Sequence, residues 1–300
     1  MSKRVVNILI AVVLVTLIIT GCSNKTNDIE TTSKNNKIKI VTSFYPMYIF
    51  TSNITKGIDD VEVINLTKPT TGCLHDYSLT TEEMKILQDC DIFITNGAGI
   101  ESFMEKVTKQ IPNLKIIEAS EGIELLKDEN NEENPHVWLS ITNAIKEVKN
   151  IEEKLIQYDN KNKDQYTKNA NEYINELNKQ NEKMEKELKS LESRNIITFH
   201  EAFPYFAKEF DLNIVGVVER EPGTQPSAKE LQETIETIKK LDVKAIFVEP
   251  QYPKKVAEII ATETKTKVYT LDPIVTGEMK ETSYIDIMNK NLEILKEALK

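Results

Sequence analysis

The chain contains few of the residues that cross-linked domains and imidazole-rich sites require. Its three cysteines are too few for a disulfide scaffold or a cysteine-rich zinc fold. Positively charged residues are also fewer than negatively charged ones, with 38 Lys and Arg against 48 Asp and Glu. The resulting net charge of −10 excludes a general electrostatic attraction to nucleic acid. Histidine occurs only as His75, His136 and His200, so any imidazole chemistry must use these three side chains.

The rest of the composition is that of a soluble globular protein. Of the 300 residues, 40% are hydrophobic and 29% are charged, unlike a membrane bundle or a disordered tail. At about 100–200 residues per domain, this length allows two domains with an ample core.

The N-terminus has the pattern of an export signal. Lys3 and Arg4 precede an apolar run over residues 5–19, which is shorter than the roughly 20 residues of a spanning helix. The run leads into Ile19-Thr20-Gly21-Cys22, which resembles a bacterial lipobox.

The lipobox predicts cleavage of residues 1–21 and lipidation of Cys22. An uncleaved N-terminal anchor is the alternative, and both place the remaining chain outside the cytoplasm. We expect a protein held by lipid at the extracellular face of the bacterial cell membrane. Residues 22–37 are almost free of apolar side chains and are predicted to form a flexible tether.

Short β-branched runs alternate with helical patterns over the rest of the chain. The predicted strands cover residues 38–43, 61–66, 91–95 and 114–118, and then 195–199, 212–218, 245–248 and 267–271. The predicted helices between and after them cover residues 45–56, 80–88, 100–110, 201–210, 227–241, 253–263 and 282–299. Strands that alternate with helices indicate parallel sheets built from βαβ units. The pattern predicts two small α/β lobes, at residues 38–140 and 195–300.

Residues 141–194 join the two halves and contain neither proline nor glycine. They are predicted to be helical, with a break near residues 159–162. Between residues 166 and 191, apolar side chains recur at spacings of three, four or seven, which predicts one buried stripe and a charged outer face. A helix of about 26 residues spans roughly 39 Å, so it would act as a rigid strut along both lobes.

Each histidine follows a predicted strand. His75 lies in the loop after the second strand, His136 follows the fourth strand and an acidic loop, and His200 directly follows the fifth strand. Asp272 directly follows the last strand. Because ligands of open α/β sheets bind beyond the carboxyl ends of the strands, we expect these side chains to meet in the cleft between the lobes. Three imidazoles and one carboxylate suit a divalent ion such as zinc.

Five motifs occur in order along the chain: Thr42-Ser43-Phe44-Tyr45-Pro46, Asn134-Pro135-His136-Val137-Trp138-Leu139, Thr198-Phe199-His200-Glu201-Ala202-Phe203, Val248-Glu249-Pro250-Gln251 and Leu271-Asp272-Pro273. Together they resemble the solute-binding lipoproteins that deliver zinc or manganese to bacterial ABC importers. The resemblance runs from residue 38 to the C-terminus, and it implies two α/β lobes bridged by one long helix.

The resemblance also implies a site and partners. It places the metal ligands at His75, His136, His200 and Asp272. It implies an ABC transporter permease and its cytoplasmic ATPase as partners, transport instead of catalysis, and a protein that we expect to be monomeric.

The third ligand position favours zinc over manganese. Manganese-transporting relatives generally have glutamate where this chain has His200, and imidazole ligands favour zinc. Manganese is the alternative cargo. The acidic loop at residues 127–134 lacks the histidines that many zinc-specific members carry there. Glu249, Glu201 and Tyr48 are candidates for residues that orient the ligand imidazoles.

Cys73 and Cys90 allow two interpretations. In an oxidising compartment they are candidates for a disulfide, whereas Cys90 alone is typical of a small buried residue at the start of a strand. Cys73 is also a departure from the family, whose first ligand segment usually lacks a cysteine.

Two further functions are alternatives to transport. A surface zinc hydrolase would keep an open metal position beside a general base, but the chain has no His-Glu-x-x-His motif and offers a fourth protein ligand. An adhesin has no motif in its favour. The sequence therefore predicts capture of an extracellular metal, zinc first, for delivery to an importer.

Overall fold

The computed structural model describes residues 37–128, 131–218 and 226–300. The predicted signal peptide, the lipidation site Cys22 and the tether up to residue 36 lie outside these ranges. Lys37–Lys300 forms one compact unit, and the domain boundaries inside it remain a prediction.

The first half of this unit contains a four-stranded parallel sheet. Its strands are β1 (Ile38–Thr42), β2 (Val61–Asn65), β3 (Ile92–Thr95) and β4 (Lys115–Glu118), in the order β2-β1-β3-β4. Its helices are α1 (Tyr45–Thr55), α2 (Thr81–Gln88) and α3 (Met104–Gln110). The central strand β3 is buried throughout, as expected for a parallel strand covered on both faces.

The second half repeats the arrangement. Its strands are β5 (Asn195–Thr198), β6 (Asn213–Val217), β7 (Ala245–Val248) and β8 (Lys267–Thr270), in the order β6-β5-β7-β8. The linking helices are α4 (Ile141–Tyr158) and α5 (Lys163–Leu188), and the helices of the second half are α6 (Pro204–Glu209), α7 (Ala228–Leu241), α8 (Lys255–Thr264) and α9 (Ser283–Ala298). The predicted fold class, two parallel-sheet α/β lobes joined by a long helix, is confirmed.

The break in the linking helices is a short 3-10 turn at Asn160–Asn162, where we predicted it. The 26-residue α5 has the predicted buried stripe, which includes Tyr166, Leu177 and Met184. The amide of Asn169 on α5 donates to the carbonyls of Ile54 and Lys56 at the end of α1. The helix therefore supports the first lobe directly.

Helix α3 begins four residues later than predicted, and helix α6 begins three residues later. Residues 100–103 precede α3, which starts at Met104. The Glu101 carboxylate accepts hydrogen bonds from the backbone N–H groups of Asn96 and Gly97, at 2.8 and 3.1 Å. These bonds hold residues 100–103 in a turn, so the helix begins only after them.

Hydrogen bonds and a shared core join the two lobes. Tyr45 donates to the carbonyl of Glu278 at 2.8 Å, and Tyr284 donates to the carbonyl of Trp138 at 2.7 Å. A single apolar cluster includes Trp138 with side chains of both lobes. Among the described residues, no helix has the length and hydrophobicity needed to cross a membrane.

Candidate metal centre

The three histidines meet although 61 and 64 residues separate them along the chain. The Nε2 atom of His136 lies 3.1 Å from Nε2 of His75 and 3.3 Å from Nε2 of His200. Two nitrogens bound tetrahedrally to zinc, each at about 2.0–2.1 Å, lie about 3.3–3.4 Å apart. The three imidazoles therefore already have nearly the spacing of zinc ligands.

The environment of His136 favours the neutral form of its imidazole ring, which is the form that binds a cation. It is buried at 2% exposure, as is His200, whereas His75 is more accessible. Burial lowers the pKa of His136 well below its ordinary value of 6.5, and the neighbouring His200 and His75 lower it further. A neutral imidazole carries the lone pair that coordination requires.

Asn134 decides which nitrogen of His136 carries the proton. Its Oδ1 lies 3.0 Å from Nδ1 of His136 and accepts from the His136 backbone N–H at the same distance. Its Nδ2 donates to the carbonyl of Glu201, which fixes the orientation of the amide. Because an amide oxygen only accepts, Nδ1 of His136 is the protonated nitrogen, and the lone pair is on Nε2. Asn134 lies in one of the five sequence motifs, but its position in the motif does not reveal this role.

Two side chains of the second lobe hold His200 and Asn134 in place. The buried carboxylate of Glu249 accepts a hydrogen bond from the backbone N–H of His200 at 3.2 Å. The Tyr205 hydroxyl donates to the carbonyl of Asn134 at 2.7 Å. Glu249 thus supports the position of His200, while its predicted role in orienting the ring stays a prediction.

The fourth donor beside the histidines is Cys73, which the sequence analysis did not predict as a ligand. One donor atom from each of Cys73, His75, His136 and His200 lies within 4.8 Å of all the others. The Sγ atom of Cys73 lies 3.8 Å from Nε2 of His136. Burial and, to a smaller extent, the negative charge of Glu249 raise the pKa of the Cys73 thiol to about 12.

The proposed disulfide between Cys73 and Cys90 is not formed, which corrects that interpretation. Both are free thiols. Cys73 faces His136, whereas the Cys90 thiol donates to the carbonyl of Leu87 at 3.3 Å. The two sulfur atoms therefore have separate surroundings, and spacing along the chain could not reveal this.

Asp272 lies in the loop after β8, as predicted, but its carboxylate is outside the group of four donor atoms. One carboxylate oxygen accepts from the backbone N–H of Ile274 at 2.8 Å, and the Asp272 backbone pairs with the amide of Asn291. Burial raises the pKa of the Asp272 carboxyl. Its role as a ligand stays a prediction.

Of the remaining predicted residues, Glu201 is at the site and Tyr48 is on a helix. Glu201 lines the same cavity as the histidines and accepts from Asn134 through its backbone carbonyl. Tyr48 lies on α1, partly buried, and packs against the apolar core. Neither position tests the predicted orienting role.

A cavity of about 410 Å³ opens above the imidazoles. Its lining contains the three histidines and five carboxylates, which belong to Asp76, Asp128, Glu132, Glu133 and Glu201. A cleft lined by one sign of charge concentrates ions of the opposite sign. The cavity therefore favours the approach of cations.

Trp138 connects this centre to the second lobe. Its ring centroid lies 5.3 Å from that of His136, and its Nε1 donates to the carbonyl of Pro273 at 2.9 Å. Pro273 directly follows Asp272. The tryptophan therefore contacts both a metal-site imidazole and the loop that carries the predicted carboxylate.

Known proteins resemble this chain in sequence and fold. The sequence model of the family described as "Zinc-uptake complex component A periplasmic" matches residues 40–298. The high-affinity zinc uptake system protein ZnuA of Bacillus subtilis (strain 168) is 34% identical, over 94% of both chains. The zinc-binding lipoprotein AdcA of Streptococcus pneumoniae serotype 4 is 29% identical over 95% of this chain, which spans only 59% of that longer protein.

Solved structures agree with the sequence comparison. A crystal structure of ZnuA superposes with a TM-score of 0.79 and 29% identity, covering 88% of this chain and all of the other. The residues that the family model matches include strands β2 to β8 and most of β1, the linking helices and all four donor residues of the cluster. The chain therefore belongs to the family of zinc-uptake complex component A proteins.

Proposed function

We propose that this chain captures zinc outside the cytoplasm and delivers it to an ABC importer. The observation that carries the proposal is that the Nε2 atom of His136 lies 3.1 Å from that of His75 and 3.3 Å from that of His200. His136 and His200 are buried. Family membership and the zinc-uptake relatives support the same function.

Zinc is the proposed cargo, and manganese is the alternative. The donors that the structure brings together are imidazole nitrogens and a thiol, whereas manganese prefers carboxylate, carbonyl and water oxygens. The intrinsic order of affinity also places zinc above manganese.

Asp272 is the proposed carboxylate ligand from the second lobe. Its carboxyl group is largely buried, and a bound cation would favour the ionised form that burial disfavours. Because its oxygens lie outside the group of four donor atoms, coordination requires the loop after β8 to move toward the histidines. Such a loop movement also offers a route for release at the permease.

The remaining features of the proposal concern the place of the protein in the cell. We propose that Cys22 carries the lipid that holds a monomer at the outer face of the membrane, with a permease and its cytoplasmic ATPase as partners. The site binds its metal without acting on a substrate, so zinc-loaded protein should show only background activity in a hydrolase screen.

Calorimetry of the full chain, stripped of metal, tests this function. We expect one zinc ion per chain, much weaker binding of manganese, and a loss of at least about 100-fold in zinc affinity for His136→Ala, because a whole ligand is removed. Asp272→Asn should also weaken binding, whereas Asp211→Asn, at an exposed position of the same lobe, should not. Equal affinity for manganese would exclude the zinc assignment, and absence of binding would exclude the function.

A further inference from the structure

Three imidazole ligands leave one position of a tetrahedral metal site open, and the fourth donor atom beside them is a sulfur. The Cys73 Sγ atom belongs to the same group of four atoms as the three ring nitrogens. In a tetrahedral zinc site, with Zn–S at about 2.3 Å and Zn–N at about 2.0–2.1 Å, sulfur and nitrogen lie roughly 3.6 Å apart. The observed distance from Sγ to Nε2 of His136 is 3.8 Å.

The loop that carries Cys73 is built to direct two donors to the same point. Cys73 and His75 flank Leu74, whose side chain is completely buried in the core. Anchoring Leu74 in the core fixes the backbone between the two donors, and the donor atoms of Cys73 and His75 belong to the same group of four. The Ser102 hydroxyl donates to the carbonyl of Leu74 at 3.1 Å, which holds this loop in place.

Asp272 does not compete for this position in the arrangement that the structure shows. Its carboxylate accepts from the Ile274 backbone N–H, and both backbone groups of Asp272 bind the Asn291 side chain. The thiol is therefore the nearest fourth donor. A buried dication also needs an anionic partner, and a thiolate supplies one.

We propose that Cys73 binds the metal as a thiolate beside the three histidines, so that the Asp272 carboxylate, when its loop moves toward them, adds to this set of four ligands. This inference rests on the proposed function. It defines the cargo of the protein as divalent ions that bind sulfur well, such as zinc and cadmium, as opposed to manganese. On binding, the S–H bond is replaced by a sulfur–metal bond and the proton passes to solvent. Soft thiolate ligands select zinc, whereas manganese favours oxygen ligands.

Cobalt(II) and cadmium(II) are probes that report sulfur coordination directly. The variant C22S/C90S of the full chain retains Cys73 as its only thiol. With either metal bound, we expect a thiolate-to-metal charge-transfer band in the near ultraviolet for this variant and for the wild type. Cys73→Ser should lose the band.

Calorimetry on the same proteins measures what the ligand contributes. We expect Cys73→Ser to lower zinc affinity by at least about tenfold and to bring the affinities for zinc and manganese closer together, because a ligand that favours zinc over manganese is lost. Cys90→Ser is the matched control and should bind zinc as the wild type does. Circular dichroism and thermal unfolding establish that each variant folds.

The outcomes separate this inference from the function on which it rests. Tight binding of cobalt and zinc without a charge-transfer band, and with unchanged affinity in Cys73→Ser, would refute the thiolate ligand and leave zinc capture intact. Failure of the folded wild-type chain to bind zinc would refute the function and the ligand together. A band that persists in Cys73→Ser would also overturn the assignment.

Discussion

The buried carboxyl group of Glu101, near the metal centre, should make the free energy of unfolding depend on pH by an amount that can be measured. Its carboxylate accepts from the Ser43 hydroxyl and from the backbone N–H of Asn96 at 2.8 Å each, and from Gly97 at 3.1 Å. The Asn96 amide in turn donates to the carbonyl of Pro135, the residue before His136. Burial raises the pKa of Glu101 to about 7, against the opposing effect of these hydrogen bonds.

The raised pKa makes stability depend on pH. Between the ordinary value of 4.5 and about 7, the folded protein keeps a proton that the unfolded chain has released, so stability falls as pH rises through this window. At 1.36 kcal/mol per unit, a shift of about 2.5 units corresponds to about 3 kcal/mol. Between about pH 5 and about pH 8, the free energy of unfolding is expected to fall by about 2.5 kcal/mol. The rest of the decrease has already occurred at pH values below about 5.

Glu101→Gln removes the titrating group. We predict that the free energy of unfolding of the variant, minus that of the wild type, increases by about 2.5 kcal/mol over the same range. The amide nitrogen of glutamine faces the Gly97 N–H and destabilises the variant, but this cost is independent of pH and does not change the slope. His136, whose pKa is lowered, titrates in both proteins and cancels in the difference.

Urea unfolding of both full chains across this pH series is the measurement. Glu105→Gln, at an exposed position on α3 where the carboxylate pairs with Lys109, controls for the loss of one surface carboxylate. A difference for Glu101→Gln that does not change with pH would refute the reasoning, because Glu101 would then ionise alike in the folded and unfolded states.

Three further predictions concern the site and the long helix. Asn134→Ala should lower zinc affinity by about 10–100-fold in calorimetry, because His136 loses the acceptor for its Nδ1 proton; unchanged affinity would contradict that role. Leu177→Ala, at a fully buried position of α5, should cost about 2–5 kcal/mol in urea unfolding, whereas the exposed Lys179→Ala should cost little. The fluorescence of Trp138 should change on zinc binding, because its ring lies 5.3 Å from that of His136; an identical spectrum at saturating zinc would exclude this.

Much of the fold was predictable because it depends on local patterns. The β-branched runs became parallel strands, and the stripe that includes Tyr166 and Met184 is buried along α5 as expected. Helix α3 was predicted four residues too early, because Glu101 binds backbone N–H groups upstream of the helix. A side-chain hydrogen bond of that kind leaves no trace in hydrophobic periodicity.

The sequence by itself determined which histidines are available for the metal site. With three histidines at strand ends of parallel sheets, their convergence followed from the topology, since the carboxyl ends of strands share one edge. The spacing of the β-branched runs and the long segment without proline or glycine likewise determined the two lobes and the helix between them.

Tertiary structure alone decided the finer chemistry. It placed the Cys73 sulfur beside His136 instead of near Cys90, used Asn134 to set the protonated nitrogen of His136, and left the Asp272 carboxylate outside the group of four donor atoms. These outcomes depend on side-chain directions and on distances of a few ångströms between residues far apart in the chain. Such distances come from the packing of whole elements, which residue type and spacing do not encode.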